Sequence, residues 1–187
     1  RVGVQNVWKF DDDPAPKVRE RVYFTVYPAD DKGRAIDFDL QFQNVSNEVV
    51  SFLGADAKGY GGFCFRPDKA RKPMMFTTIK GPQPQDKDAL EFDTPWADVS
   101  MALDPSKKDS PISGVAIFQN PKNPGYPHKG WIFRHYGFLG ASWPHMETFE
   151  LKPGEYFQLR YRLYVHRGTA EQGLVGDRFQ AYIKAVE

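Results

Sequence analysis

Two stretches in which apolar and polar side chains alternate one by one set the tightest limit on how this chain can fold. They are residues 35–45 and 155–166. A period of two matches a strand with one buried and one solvent-facing side, whereas a helix would scatter the same apolar residues around its circumference. The alternation predicts a set of core side chains, namely Ile36, Phe38, Leu40, Phe42, Phe157, Leu159, Tyr161 and Leu163.

The rest of the chain contains further strand candidates. Residues 21–27 alternate in the same way, and the shorter candidates are residues 4–10, 49–53, 62–66, 74–79, 97–101, 114–119, 131–136 and 145–151. Turns that contain Pro or Gly separate many of them. Residues 80–93 are typical of a long polar loop, a kind of segment that often carries function. Many short strands separated by turns of this kind favour a sandwich or a barrel.

We therefore predict an all-β protein built as an antiparallel β-sandwich, of which the galactose-mutarotase-like super-sandwich is one form. Apolar residues at i, i+3, i+4 and i+7 from Phe179 to Val186 predict one short C-terminal helix that begins near Gly176 and Asp177. A length of 187 residues suits one domain, residues 1–187. Because the first residue is Arg1 and not Met, the C-terminal portion of a larger domain is the alternative.

The charge balance and the single cysteine exclude several classes of protein. The chain has 25 basic and 24 acidic side chains, a net charge of +1 and no basic stripe, which argues against a nucleic-acid partner. No apolar run approaches the ~18–20 residues that span a bilayer, so we predict no membrane span. Cys64 alone can form neither an intrachain disulfide nor a Cys-based zinc site, and we expect its side chain to be small and buried. The four histidines lack metal-ligand spacing, so we predict no metal and no cofactor.

The first candidate for chemistry is the glycine-rich segment of residues 58–66. Its glycines allow the backbone to come close to another chain or to a ligand, or permit a bulge. Tyr60 lies among them, and Arg66 projects on the side opposite to the rings of Phe63 and Phe65. We therefore consider Tyr60 and Arg66 candidate catalytic residues. The alternative is a glycine bulge in an ordinary strand.

The second candidate is the segment of residues 128–145, where aromatic, histidine and arginine side chains concentrate. Flat rings can stack on a sugar, His or Tyr can transfer a proton, and Arg can neutralise a carboxylate. We expect Arg134 and His135 to be catalytic, although strict alternation would point them to opposite faces of a strand. The expected ligand-binding residues here are His128, Trp131, Trp143 and His145. For each histidine, a scaffold role is the alternative.

Two further ligand-binding candidates, Trp96 and Asp98, share a face of a predicted strand. Asp98 could act as a base, but an aspartate near a strand start is ordinarily a turn or surface group. No Gly-x-Ser-x-Gly elbow is present that would make the nearby Ser100 a nucleophile.

The polar side of residues 155–166 carries the last candidates. Arg160 and Arg162 lie there with Tyr164 and His166, and the planar guanidinium groups match carboxylates. The row would form the floor of a groove for an acidic sugar. The alternative is that the arginines pair with aspartates on the polar side of residues 35–45, as opposite charges across strands do.

Five segments carry a resemblance to a known family: AKGYGGFCFR (57–66), PWAD (95–98), GVAIFQNPKNP (114–124), WIFRHYG (131–137) and LKPGEYFQLRYRL (151–163). In this order and spacing, over roughly residues 35–168, the chain resembles a bacterial family of unknown function labelled "methane oxygenase PmoA". A membrane copper oxygenase needs spanning helices and a cluster of metal ligands, and the sequence shows neither. The resemblance implies a β-sandwich, often exported, in a setting of polysaccharide degradation.

The chain departs from the family pattern at two places. The Asp-His-Pro-His-His-type motif that members usually carry near the N-terminus is missing, so the resemblance covers only the later part of the domain. Many members have Trp-His where this chain has Trp131 and Ile132. If those histidines carry chemistry, a partner chain or a missing N-terminal segment would have to supply it.

Three functions remain open at this point. The leading hypothesis is a carbohydrate-directed enzyme of the lyase or epimerase type that acts on plant or algal glycans, located in the periplasm or outside the cell. The second is a noncatalytic sugar-binding module, and the third is a structural subunit of a larger assembly. An ordinary glycosidase needs two acids about 5–10 Å apart, whereas the acids here fall mostly in loops and on solvent faces.

Overall fold

The computed structural model describes residues 1–55, 57–68, 70–84 and 87–186. Within these ranges the chain forms the following strands and helix: β1 (Val2–Phe10), β2 (Asp13–Val26), β3 (Gly33–Asn44), β4 (Val50–Phe52), β5 (Phe63–Phe65), β6 (Met74–Thr78), β7 (Gly81–Pro82), β8 (Trp96–Ala102), β9 (Ile112–Gln119), β10 (Trp131–Arg134), β11 (Phe138–Ala141), β12 (Phe149–Leu151), β13 (Tyr156–Arg167) and α1 (Val175–Val186).

Antiparallel pairing joins the long strands into one large sheet, in the order β1-β2-β3-β13-β9-β8-β6-β7. β13 lies inside this sheet, where Leu159 is opposite Leu40 of β3 and Leu163 is opposite Ile117 of β9. The other strands form two small sheets, β10-β11-β5 and β12-β4. The prediction of an all-β, antiparallel, sandwich-like architecture is confirmed.

The first core lies between the large sheet and the two small ones. Phe63 of β5 stacks on Tyr161 of β13 with ring centroids 4.9 Å apart, and Phe133 of β10 stacks on Phe76 of β6 at 5.1 Å. Ring pairs of this kind bury large apolar surfaces. They hold the small sheets on the large one as the second layer of the sandwich.

The predicted core residues divide into two groups. Phe42, Phe157, Leu159 and Tyr161 are buried, whereas Ile36, Phe38, Leu40 and Leu163 are half-buried. On the β1 side of the same face exposure rises further, to 51% for Val2 and 62% for Phe10. The small sheets are therefore too short to cover the β1-β2-β3 side of the large sheet.

α1 packs on the opposite, outer face of the large sheet and makes a second core. Phe179 and Tyr182 are buried there, and Phe179 meets Phe118 of β9 edge to face with ring centroids 5.4 Å apart. The predicted C-terminal helix is confirmed. Because Tyr164 of β13 belongs to this core, the end of the polar side of β13 lies under the helix rather than in solvent.

Local structure differs from the sequence-based expectation at three places. β10 ends at Arg134 because the chain turns there, with the Gly137 amide donating to the Arg134 carbonyl oxygen over 2.9 Å. β11 had not been predicted, since residues 138–141 show no alternation. The expected burial of Cys64 is wrong: it alternates with Phe63 and Phe65, whose rings point into the core, so its own side chain faces outward and is exposed.

Candidate functional site

The strongest candidate site joins Tyr60 and Arg134, which come from two separate sequence segments. Arg134 is the last residue of β10, and Tyr60 lies in the glycine-rich loop before β5. The Nε atom of Arg134 donates a hydrogen bond of 2.8 Å to the Tyr60 hydroxyl oxygen, and the guanidinium lies 5.6 Å from the centroid of the Tyr60 ring. A charged donor so placed favours the phenolate form of tyrosine.

A second tyrosine adds a neighbouring phenol. The hydroxyl oxygen of Tyr136 lies 3.3 Å from that of Tyr60. Burial by itself raises the pKa of Tyr60, but the hydrogen bonds with Tyr136 and Arg134 and the charge of Arg134 outweigh it, so the pKa lies below its ordinary value of 10.0. The pKa of Tyr136 is raised, chiefly by its hydrogen bond to Tyr60. The Tyr60 phenol therefore loses its proton more readily than the Tyr136 phenol does.

Asp88 connects Arg134 to His135. Its Oδ1 atom accepts a hydrogen bond of 2.9 Å from the His135 backbone amide and lies 3.1 Å from Nδ1 of the ring, while Oδ2 lies 3.6 Å from Nη1 of Arg134. Burial alone would raise the pKa of Asp88, but the hydrogen bonds from His135 and the charge of Arg134 lower it overall. The expectation that alternation separates Arg134 from His135 is corrected, because β10 ends before His135.

Sequence reasoning had not assigned Asp88 to a site. The residue belongs to the polar stretch of residues 80–93, and its position is fixed by Ala89, which exchanges two backbone hydrogen bonds with Phe133 of β10, of 3.1 and 2.9 Å. The length and polarity of this stretch were the available signal. Which strand the stretch meets depends on tertiary packing, and the sequence does not carry that information locally.

Arg66 lies in the same cluster. Its guanidinium carbon is 4.9 Å from the ring centroid of Phe138, and that ring in turn meets the Tyr60 ring edge to face at 5.2 Å. Arg66 is exposed and forms no ion pair with a carboxylate in the described part of the chain. The structure therefore brings Tyr60, Arg66, Arg134 and His135 together, and it places an uncompensated positive charge beside the phenols. We call Tyr60, Arg66, Asp88, Arg134, His135 and Tyr136 the tyrosine cluster.

Gly59 shows why the loop around Tyr60 contains glycine. Its φ is +74°, and a Cβ atom at this position would lie 2.3 Å from Cδ2 of His145. The loop therefore packs directly on the His145 ring, in agreement with the interpretation that glycines let the backbone approach another segment. His145 itself has a φ of +65°, which is uncommon for a residue with a side chain.

His128 and His145 line a separate pocket of about 380 Å³ together with Glu91 and Glu147. Nδ1 of His145 lies 3.9 Å from Oε1 of Glu91. Burial, and next the charge of His145, lower the pKa of His128 below 6.5, which favours a neutral ring. The two histidines thus share one pocket, and Gly59 connects that pocket to the tyrosine cluster.

Burial removes Trp131 and Trp96 from direct contact with a ligand. Trp131 is fully buried and its Nε1 atom donates a hydrogen bond of 2.8 Å to the Thr94 carbonyl oxygen, while Trp96 lies in the second core under α1. Trp143 packs on Phe157 at 4.8 Å but still contributes to the wall of an apolar pocket of about 340 Å³. The rings of Trp131 and Trp96, which were expected to bind a ligand, fill the two cores.

Asp98 is enclosed as well. Its Oδ2 atom lies 2.7 Å from Nε2 of His166, and its Oδ1 atom accepts a hydrogen bond of 2.7 Å from the Ser100 hydroxyl. All three residues are buried, and burial raises the pKa of Asp98 above 3.8 against the opposing effect of His166. Asp98, which was expected to contact a ligand, therefore lies in a buried polar network.

Arg162 and Arg160 have different partners on the polar side of β13. Arg162 forms a bidentate pair with Asp37, with Nε–Oδ1 and Nη2–Oδ2 distances of 2.6 and 2.8 Å, which is the pairing set out as the alternative. Arg160 instead donates from Nη2 to the Gln158 amide oxygen over 2.5 Å. Tyr164 and His166 are buried, and Arg162 is paired with Asp37. Of the four side chains expected to form the floor of a groove, Arg160 therefore remains.

Among the described residues, neither a group of metal ligands nor a membrane-spanning helix is present. No three of their His, Cys, Asp and Glu side chains are arranged to hold a metal ion. None of the helical segments in the same ranges is long and apolar enough to cross a membrane.

Comparison with known proteins gives one family. No curated protein matches the chain. A family model described as a family of unknown function, DUF6807, matches residues 1–180. This match reaches beyond residues 35–168, which carry the resemblance noted above, and its description names neither an oxygenase nor a carbohydrate. The chain therefore belongs to the family of unknown function DUF6807.

Proposed function

We propose that the protein is a carbohydrate-directed enzyme that moves a proton at the carbon next to the carboxylate of an acidic sugar, as a lyase or an epimerase. The observation that carries the proposal is the pair of phenols 3.3 Å apart whose pKa values are shifted in opposite directions. Tyr60 is the base and Tyr136 the acid. Plant or algal glycans that contain uronates are the substrate class, and the periplasm or the cell exterior is where such polymers are met.

In the elimination, the Tyr60 phenolate takes the proton from the carbon that bears the carboxylate. The electron pair of that carbon–hydrogen bond forms a double bond to the neighbouring ring carbon. The bond from this neighbour to the glycosidic oxygen breaks, and the oxygen leaves with the electron pair and takes a proton from Tyr136. In the epimerisation, removal of the same proton leaves a carbanion, and this carbanion takes a proton from water on its other face, so no bond to oxygen breaks.

Arginine supplies the charge that this chemistry needs. Negative charge develops on the sugar carboxylate when the proton is removed, and a nearby cation stabilises it. Arg66 is exposed and free of carboxylate partners in the described ranges, so it can meet the substrate directly. Arg134 is held by Asp88 and Tyr60, so it acts as a positioning residue that keeps the Tyr60 pKa low.

The proposal is tested by incubation with oligogalacturonate, alginate oligomers and a neutral malto-oligosaccharide. We expect unsaturated or epimerised product from at least one of the acidic glycans and none from the neutral one. Tyr60→Phe should abolish product formation while retaining the melting temperature, and Lys108→Gln, on an exposed loop, should behave as wild type. Product formation by Tyr60→Phe at the wild-type rate would overturn the assignment.

A second candidate, a subunit of a larger assembly, is favoured by β1. This edge strand presents exposed apolar side chains, among them Val2, Val4, Trp8 and Phe10. Exposed apolar groups concentrated on an edge strand are typical of a surface that another chain covers. Measurement of the native particle mass separates this candidate from a monomeric enzyme.

A further inference from the structure

The outer face of β2, β3 and β13 carries a set of polar side chains that α1 leaves open. We call it the arginine face. Cross-strand register arranges its members in rows: Arg19, Gln43 and Tyr156; then Arg21, Gln41 and Gln158; then Tyr23, Asp39 and Arg160. Neighbouring rows are two residues apart along the strands, so the three rows extend over about 13 Å.

Glutamine amides, rather than carboxylates, hold the arginines of this face. Arg19 donates from Nη1 to the Gln43 amide oxygen over 3.3 Å, and Arg21 donates from Nε to that of Gln5, also over 3.3 Å. The partner of Arg160 is the amide oxygen of Gln158. The neutral amides orient the guanidinium groups of Arg19 and Arg21 but leave their charge uncompensated, in contrast to the carboxylate of Asp37 that neutralises Arg162. Arg160 differs from them, because the carboxylate of Asp39 lies opposite it on β3 and accepts a hydrogen bond from Gln158.

Two adjacent pockets open on this face. One, of about 250 Å³, is lined by Arg19, Arg21, Gln41, Gln43 and the ring of Tyr156, among others. The other, of about 200 Å³, lies next to Arg160, Tyr23 and Asp39 and reaches Tyr182 of α1. Tyr156 is 74% exposed, so its ring is free to stack on a ligand.

We propose that the arginine face is a binding site for an acidic polysaccharide, carboxylated or sulfated. Arg19, Arg21 and Arg160 would pair with the acidic groups of successive sugar units, because planar guanidinium groups match carboxylate and sulfate oxygens. The glutamine amides both donate and accept, as sugar hydroxyls require, and the open Tyr156 ring offers an apolar surface for a pyranose. Nucleic acid fits less well, because the net charge of the chain is only +1.

The site is distinct from the tyrosine cluster. The arginine face is the outer side of the large sheet, the side on which α1 packs. Tyr60, Arg66 and Phe138 belong to the outer side of the small β10-β11-β5 sheet, across the first core. The proposal therefore concerns substrate capture rather than proton transfer, and it does not depend on catalysis by Tyr60.

The test is equilibrium binding, by calorimetry, of oligogalacturonate and dextran sulfate to wild type and to Arg19→Gln/Arg21→Gln. We expect the double variant to lose about tenfold or more in affinity, since each charge-assisted hydrogen bond contributes measurably. Lys107→Gln/Lys108→Gln removes the same charge from an exposed loop and should bind as wild type. Arg160→Gln, in the second pocket, provides an independent variant, and its affinity should also fall.

Three results would overturn the proposal. One is that neutral dextran binds as tightly as the acidic polymers. Another is that the lysine variant loses as much affinity as the arginine variant, which would indicate a general effect of net charge. The third is that single-stranded DNA competes as well as the acidic glycans do at the same ionic strength, which would make the face a general polyanion surface.

Discussion

Arg134 donates a hydrogen bond to the hydroxyl of Tyr60 over 2.8 Å, although 74 residues separate the two in the sequence. The contact exists because β10 ends at Arg134 and because the loop that carries Tyr60 packs closely through Gly59. It gives a surface tyrosine a cationic donor, and a phenol with such a partner ionises more readily. The proposed chemistry depends on this contact.

The first prediction concerns the ionisation of Tyr60. In Arg134→Gln the positive charge is gone, so the pKa of Tyr60 should rise from its lowered position toward 10.0. Tyrosinate absorbance measures the pKa of Tyr60 when the spectrum of the same protein carrying Tyr60→Phe is subtracted. Activity of the wild type should increase with pH as Tyr60 loses its proton. An unchanged Tyr60 titration in Arg134→Gln would show that the contact does not set the pKa.

A second prediction compares two glycines with similar backbone angles. Gly154 has a φ of +79° and open space around it, so Gly154→Ala should cost about 1–2 kcal/mol of unfolding free energy, from backbone strain alone. Gly59→Ala adds a collision with the His145 ring and should cost about 1–3 kcal/mol more. Urea denaturation measures both. Equal losses would mean that the loop does not pack on His145 as described.

Sequence patterns predicted the fold well where one face of an element is buried. The alternation in residues 155–166 gave the inward side of β13 correctly, and the 3.6-residue pattern gave α1. The same alternation could not show that α1 covers the outward side of β13 near its C-terminal end. Tyr164 and His166 are therefore buried although they belong to the polar row.

For the candidate site, the sequence supplied residue types and the structure supplied their neighbours. Tyr60 and Arg134 stood out because unusual side chains concentrate around them. Trp131 stood out for the same reason, yet its ring lies in the core, since composition does not distinguish a ring that stacks on a ligand from one that fills a core. Asp88 was not assigned because its role depends on a contact between a loop and a distant strand.

A third prediction tests the second core. Phe179→Ala removes a buried ring that meets Phe118, and it should lower the unfolding free energy by about 3–5 kcal/mol. Lys184→Ala, an exposed position on the same helix, should change it by less than about 0.5 kcal/mol. Thermal unfolding followed by circular dichroism provides the comparison. Similar values for the two variants would argue against packing of α1 on the large sheet.

The buried Asp98 leads to a prediction about pH. Because burial raises its pKa, the folded state binds this proton more tightly than the unfolded state does. The resulting stabilisation is present below pH 3.8 and is lost as the pH rises through the pKa of the folded state. Asp98→Asn removes this titration, so the difference in unfolding free energy between variant and wild type should vary with pH in that window. A difference that stays constant with pH would contradict the raised pKa.

The most direct test of the account is proton exchange at the sugar carbon that Tyr60 is proposed to deprotonate. Wild-type protein is incubated with oligogalacturonate or alginate oligomers in heavy water. Proton NMR follows the signal of the hydrogen on the carbon next to the carboxylate. We expect this signal to be lost with wild type, to persist with Tyr60→Phe and to persist in the absence of protein. Retention of the signal with wild type on both acidic glycans, or its loss at the same rate with Tyr60→Phe, would contradict proton transfer by Tyr60.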